Sequence, residues 1–262
     1  MASMPPEPNH NRDNRNRDIF DYEHNPTWRI FRIMSEFVEG FSFLAQIQRS
    51  VTIFGSARFP ESNPYYQQAR QLGWRLAQQG YTVVTGGGPG IMQAANQGAF
   101  EAHGTSVGLN IQLPHEQRVN PYVTRSMSLH YFFSRKVMLD FSAEAYVFFP
   151  GGYGTLDEFF ELLTLVQTNK VDRQAPVVMV GSDYWAPLAG WLREVLLERV
   201  HTIAPEDLAI WTLTDDIDEV MRLIARGVQQ QVDDRIAATG QAASTADEKL
   251  AQATREMTGL EQ

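Results

Sequence analysis

Between residues 51 and about 225, short apolar runs alternate with segments of helical periodicity, and three of the short runs end in glycine-rich turns. The runs fall at 51–54, 82–85, 105–111, 128–133, 145–149, 177–180 and 209–214. The helical segments fall at 65–79, 91–102, 135–143, 155–169, 184–200 and 217–224. Near-continuous Val, Ile and Phe marks strands buried on both faces. Strict strand–helix alternation predicts one parallel sheet flanked by helices on both faces, an α/β, Rossmann-like architecture. The turns Gly55-Ser56-Ala57, Gly86 to Gly90 and Gly151 to Gly154 then lie at the carboxyl ends of strands, on the rim where open parallel sheets bind ligands. Gly55, Ser56, Gly87 and Gly88 are the residues of the first two turns expected to approach a ligand there.

Around this domain, taken as 50–225, the sequence predicts three extensions. Residues 1–18, rich in Asn, Arg, Asp and Pro, read as disordered. Residues 19–49 form a helical extension, with Phe31, Met34, Phe37, Val38, Phe41 and Leu44 near helical spacing between 28 and 48, suited to packing on the core or to a subunit contact. Residues 226–262 read as a mobile or loosely helical tail. The net charge of −9, from 22 Lys and Arg against 31 Asp and Glu, argues against a nucleic-acid partner. Cysteine is absent, which removes disulfides, thiol catalysis and cysteine-bound metals. No secretory leader or membrane-length apolar stretch is evident, so a soluble, cytoplasmic protein without a membrane partner is expected.

Pro150-Gly151-Gly152-Tyr153-Gly154-Thr155-Leu156-Asp157-Glu158 joins a strand end to a helix start. Glycines allow backbone N–H groups to approach a ligand closely, and unpaired N–H groups at a helix start attract phosphate. Glu158 would then sit one turn in. Thr155 and Glu158 also have capping-box spacing, with Thr155 as N-cap, and Asp157 could be a solvated first-turn carboxylate. Arg135-Lys136 places two cations at an expected helix start, unfavourable with the dipole unless an anionic ligand is bound. The Gly86–Gly90 turn departs from the dinucleotide fingerprint, no Walker loop or G-x-S-x-G elbow occurs, and the six histidines show no metal-ligand spacing. Neither a cofactor nor a metal is expected. Trp185 and Trp191 read as core or interface residues.

These residues resemble the LOG ("Lonely Guy") family. Pro150 to Glu158 matches its PGGxGTxxE signature and Arg135-Lys136 its Arg-Lys pair. Gly86 to Met92 resembles its GGGxxGxM turn, and Phe54-Gly55-Ser56-Ala57 its first-strand turn. The extra N-terminal helix and the tail look like the longer bacterial members. The resemblance implies a phosphoribohydrolase that cleaves the N-glycosidic bond of an N6-modified adenosine 5′-monophosphate, or of AMP, giving free base and ribose 5-phosphate. It implies Glu158 and Arg135 as catalytic residues, the Gly151, Gly152, Tyr153, Gly154 and Thr155 turn as the phosphate grip, Lys136 beside the anion, and Asp157 and Thr164 as ligand contacts. It also implies a homodimer or larger homo-oligomer. Shorter members carry a glutamate before the Arg-Lys pair, for which His115, Glu116 and Gln117 offer the candidate segment here. Tyr131, Phe132 and Phe133 could stack on a purine or be buried strand aromatics. The rival is a non-catalytic nucleotide- or molybdenum-cofactor-binding protein. The older label for the family, lysine decarboxylase, needs a pyridoxal phosphate lysine, for which Lys136 alone is suggestively placed.

Overall fold

The computed structural model describes residues 26–112, 119–172 and 174–239. The expectations for residues 1–18, for His115, Glu116 and Gln117, and for the end of the tail lie outside them. Among the described residues, seven strands form one parallel sheet in the order β4-β3-β2-β1-β5-β6-β7. They are β1 Ser50–Phe54, β2 Thr82–Thr85, β3 Ser106–Ile111, β4 Arg125–Leu129, β5 Ala145–Phe148, β6 Val177–Val180 and β7 Trp211–Thr214. The helices are α1 Pro26–Leu44, α2 Pro64–Gln78, α3 Ile91–Glu101, α4 Phe132–Asp140, α5 Tyr153–Gln167, α6 Ser182–Trp191 and α7 Ile217–Thr239.

Successive strand residues serve opposite faces. Val51, Ile53, Val83, Ala145, Val147 and Val178 pack with α2, α3 and α7. Phe54, Val84, Val107, Tyr146, Phe148 and Val177 pack with α4, α5 and the fully buried Trp185 of α6. Both faces are therefore apolar, as the unbroken Val and Ile runs require. The order in which the chain adds strands reverses between the parallel neighbours β1 and β5, whose last residues Phe54 and Phe148 are register partners with rings stacked at 4.7 Å. Beyond them the Ser56 N–H donates to the Pro150 carbonyl at 3.0 Å. The first and third glycine turns thus meet at the topological switch point, where such sheets open a crevice.

Several expectations need correction. The run 128–133 is not one strand: β4 ends at Leu129, and the aromatics open α4, leaving Phe132 and Phe133 exposed rather than buried in a sheet. The N–H groups of His130 and Tyr131 turn away from the sheet to the Glu36 carboxylate of α1. Because α4 starts at Phe132, Arg135 and Lys136 lie one turn in, where the dipole penalty has largely faded. The helix expected at 184–200 is α6 followed by a π-helical segment, Leu192–Arg199. Pro205–Ala209 forms a 3-10 turn ahead of β7. The last helix, expected to stop at 224, runs unbroken to Thr239. Helix α1 leaves Phe31, Met34, Val38 and Phe41 exposed, and only Phe37 and Leu44 of the expected apolar set pack on the core. Trp191 is half exposed. No helix among the described residues is long and apolar enough to cross a membrane.

Candidate functional site

A cavity of about 1120 Å³ opens at the switch point. Its floor is formed by Gly55 and Ser56 after β1, Gly86 and Gly88 after β2, and Gly151 to Thr155 after β5. Its sides carry Arg135, Lys136, Asp157 and Glu158, together with Met92, Asn110, Ile111, Phe132, Leu139 and Tyr184.

The third turn is shaped by what it lacks. Helix α5 begins at Tyr153 with Gly152 at the cap position, so no side chain caps the first N–H groups. The capping-box expectation is therefore corrected: Thr155 lies inside the first turn, its N–H donating to the Gly152 carbonyl at 3.0 Å. The Thr155 side chain is buried against the Gly151 backbone. Tyr184, from α6, donates its hydroxyl to the Gly151 carbonyl at 2.6 Å. A Cβ at Gly152 or Gly154 would meet no protein atom within 4 Å. Protein packing thus gives no reason for glycine there, whereas a ligand pressed against the helix start does. Gly154→Ala should accordingly fold with unchanged or slightly raised stability, by up to about 1 kcal/mol, since Ala is the better helix former. It should nevertheless bind phosphorylated ligands on the order of tenfold more weakly, because its methyl occupies their space. Titration calorimetry with AMP checks this, and undiminished affinity would remove the cradle.

Arg135 and Glu158 face this cradle from α4 and α5. The guanidinium donates through Nε to the Leu109 carbonyl at 2.9 Å and occupies the space that a side chain at residue 86 would need, so Gly86 is the residue that admits it. Burial lowers the Arg135 pKa, and Glu158 pulls it back up. Glu158 is 7% exposed, and its Oε2 has no hydrogen-bond partner. Burial pushes its pKa up to about 7 against the opposing pull of Lys136 and Arg135. Near neutrality it can therefore either hold or release a proton. Lys136 pairs with Asp157 at 2.9 Å and with Glu161. Burial alone would lower its pKa, but these carboxylates raise it and hold the ammonium charged.

The structure brings together Arg135, Lys136, Gly151, Gly152, Tyr153, Gly154, Thr155, Asp157, Glu158, Gly55, Ser56 and Gly88. Thr164 is not among them: it is exposed about three turns along α5, with its hydroxyl on the Phe160 carbonyl. Gly87 also lies off the cavity, its N–H held by Thr85 at 2.9 Å and its carbonyl accepting from Asn120 at 2.9 Å. Sequence reasoning passed over Gly86, Asn110 and Tyr184. Gly86 stood in the same glycine run as its neighbours, and only the position of Arg135 singles it out. No group of His, Cys, Asp and Glu able to hold a metal occurs among the described residues.

Residues 92–224, just over half of the 262, match the model of the family described as "Possible lysine decarboxylase". The chain is similar to a cytokinin riboside 5'-monophosphate phosphoribohydrolase of Rhodococcoides fascians, 27% identical over 168 residues that cover 62% of this chain and 83% of the other. A protein of the same name from Mycobacterium marinum is 28% identical over 174 residues, covering 65% of this chain and 91% of that one. Among solved structures, the molybdenum cofactor carrier protein MCP from Chlamydomonas reinhardtii superposes with a TM-score of 0.52 at 21% identity, over 69% of this chain and 98% of that one. That likeness is one of fold.

Proposed function

Because the chain belongs to this family, the LOG family, whose curated relatives are named phosphoribohydrolases, we propose that it hydrolyses the N-glycosidic bond of adenosine 5′-monophosphates, N6-modified or plain. One observation carries the reading. A buried carboxyl with a free oxygen, Glu158, lines the same cavity as an uncapped glycine-rich helix start.

The 5′-phosphate rests on the first N–H groups of α5 and the Thr155 hydroxyl, and its binding energy fixes the sugar. As the bond from C1′ to the base nitrogen breaks, positive charge grows on the ribose. The Glu158 carboxylate stabilises that charge and takes a proton from the attacking water. The water oxygen bonds to C1′, giving ribose 5-phosphate, while the departing base nitrogen takes a proton from solvent and Glu158 returns the proton it took to solvent. Arg135 holds a ribose hydroxyl or the phosphate with its planar fork, and together with Lys136, the stronger of the two, it opposes the upward push of burial on the Glu158 pKa.

A decarboxylase reading fits poorly. A Schiff-base lysine must present a neutral amine. Lys136, the lysine lining the cavity, is instead bound by two carboxylates that hold it charged. Lys170 is exposed beyond the end of α5.

Incubation with AMP should release adenine and ribose 5-phosphate, with kcat/KM on the order of a hundredfold above that for adenosine, which lacks the anchoring phosphate. Equal rates would remove the phosphate cradle. Tight AMP binding with no release of adenine would turn the reading to nucleotide carriage. We assign the exposed apolar face of α1, with Ile30, Phe31, Met34 and Val38, to self-association. A monomer in sedimentation would refute that part.

A further inference from the structure

Helix α1 is docked the wrong way round for a simple apolar contact. It exposes Trp28, Ile30, Phe31, Met34, Val38 and Phe41, and the two residues it buries are Glu36 and Gly40. A buried carboxylate is costly unless hydrogen-bonded. Glu36 Oε1 accepts from the His130 N–H at 2.6 Å, while Oε2 accepts from the Tyr131 N–H at 3.4 Å and from the Ser134 hydroxyl. These donors belong to the turn that opens α4. Tyr131, at the cap position, supplies no side-chain bond of its own. A residue 94 positions upstream of His130 thus provides the cap that the local sequence lacks.

The grip continues along α4. One turn beyond Glu36, a Cβ at Gly40 would collide with the Met138 thioether, so the helices touch there at closest approach. The Phe41 ring meets Phe141 at 6.4 Å. Helix α1 therefore holds α4 at Ser134, Met138 and Phe141, whereas Arg135, Lys136 and Leu139 line the cavity. Arg135 follows Ser134 directly, so any slip of the first turn of α4 moves the guanidinium away from the Leu109 carbonyl and the space left by Gly86.

We propose that Glu36 is a positioning residue: it does not line the cavity, and it sets the placement of Arg135 by capping α4. The inference rests on the reading that Arg135 acts on substrate.

The test compares full-length Glu36→Ala and Glu36→Gln with the parent, at a temperature where circular dichroism shows each fully folded. Two quantities are read: kcat on AMP, and hydrogen exchange of the Arg135 Nε–H by arginine-labelled NMR. Glu36→Ala should lose kcat about tenfold or more, with faster Nε–H exchange as the bond to Leu109 loosens. Glu36→Gln, whose amide oxygen still accepts from the His130 N–H and whose NH2 can donate to the Ser134 hydroxyl oxygen, should recover part of both. Parental kcat in Glu36→Ala, or unchanged Nε–H exchange, overturns the proposal, as does a loss of activity that only follows the unfolded fraction. If the parent cleaves no nucleotide, the functional reading fails, yet the exchange comparison still decides whether Glu36 fixes Arg135.

Discussion

Glu158→Gln is expected to lower kcat on AMP on the order of a thousandfold or more while leaving the fold intact. The change removes both the charge that stabilises the ribose cation and the base that activates water. The pH dependence identifies the group. Glu158 acts as a carboxylate, and its pKa is pushed up to about 7, chiefly by burial. The kcat/KM of the parent should therefore climb with pH through about 7, while the residual rate of the variant stays flat there. Stability should move the opposite way. The folded pKa lies above the ordinary carboxyl value of 4.5, so this group's contribution is complete below about 4.5 and is lost as pH rises through about 7. Above pH 7 the Gln variant, freed of that penalty, should be more stable than the parent by up to about 3 kcal/mol. Steady-state kinetics and urea unfolding on the same preparations check both signs. Parental turnover in the variant would remove Glu158 from the chemistry.

The parallel sheet and the third glycine turn were legible because their signals are local. Each buried strand is one contiguous apolar run, and the sequence from Pro150 to Glu158 carries cradle and carboxylate within nine residues. The elements that were misplaced are those decided at a distance. Tyr131, Phe132 and Phe133 have the composition of a strand, yet Tyr131 sits at the cap of α4 with its N–H, like that of His130, turned to a carboxylate from α1. Thr155 has the spacing of an N-cap, but its side chain packs back on Gly151 while Gly152 takes the cap position. Gly86 and Gly87 are indistinguishable in sequence. The first faces Arg135, whereas the second is tied into a buried polar network in which Asn120 also bonds Asn96 at 2.9 Å. Thr164 shares a helix with Glu158, yet its rotation and distance along α5 take it out of the cavity. In each case the residue type set a range of options, and a partner far along the chain chose among them.

Asp140→Asn should give a large stability change with little effect on turnover. Asp140 closes α4 and is 1% exposed, and neither carboxyl oxygen has a hydrogen-bond partner. Burial pushes its pKa up to about 8, and Glu158, Glu161 and Asp157 on α5 add to the rise while Lys136 opposes it. On the β5 side, the Tyr146 hydroxyl bonds the Asp140 backbone carbonyl rather than the carboxyl. The folded pKa is again raised, here from 3.8, so the contribution to stability is complete below about pH 4 and is lost progressively up to about pH 8. That interval corresponds to on the order of 5 kcal/mol. A buried, unpaired amide in the variant has its own cost of about 1–3 kcal/mol. The variant should therefore be no more stable than the parent at pH 4 and about 2–4 kcal/mol more stable at pH 8, read from urea unfolding at pH 4, 6 and 8. The rise of kcat/KM should stay near pH 7, because Asp140 is still protonated when Glu158 ionises. Parallel stability curves for variant and parent would mean that this carboxyl finds a partner on folding, and the low-dielectric account of the region between α4 and α5, on which the raised pKa of Glu158 also depends, would have to be given up.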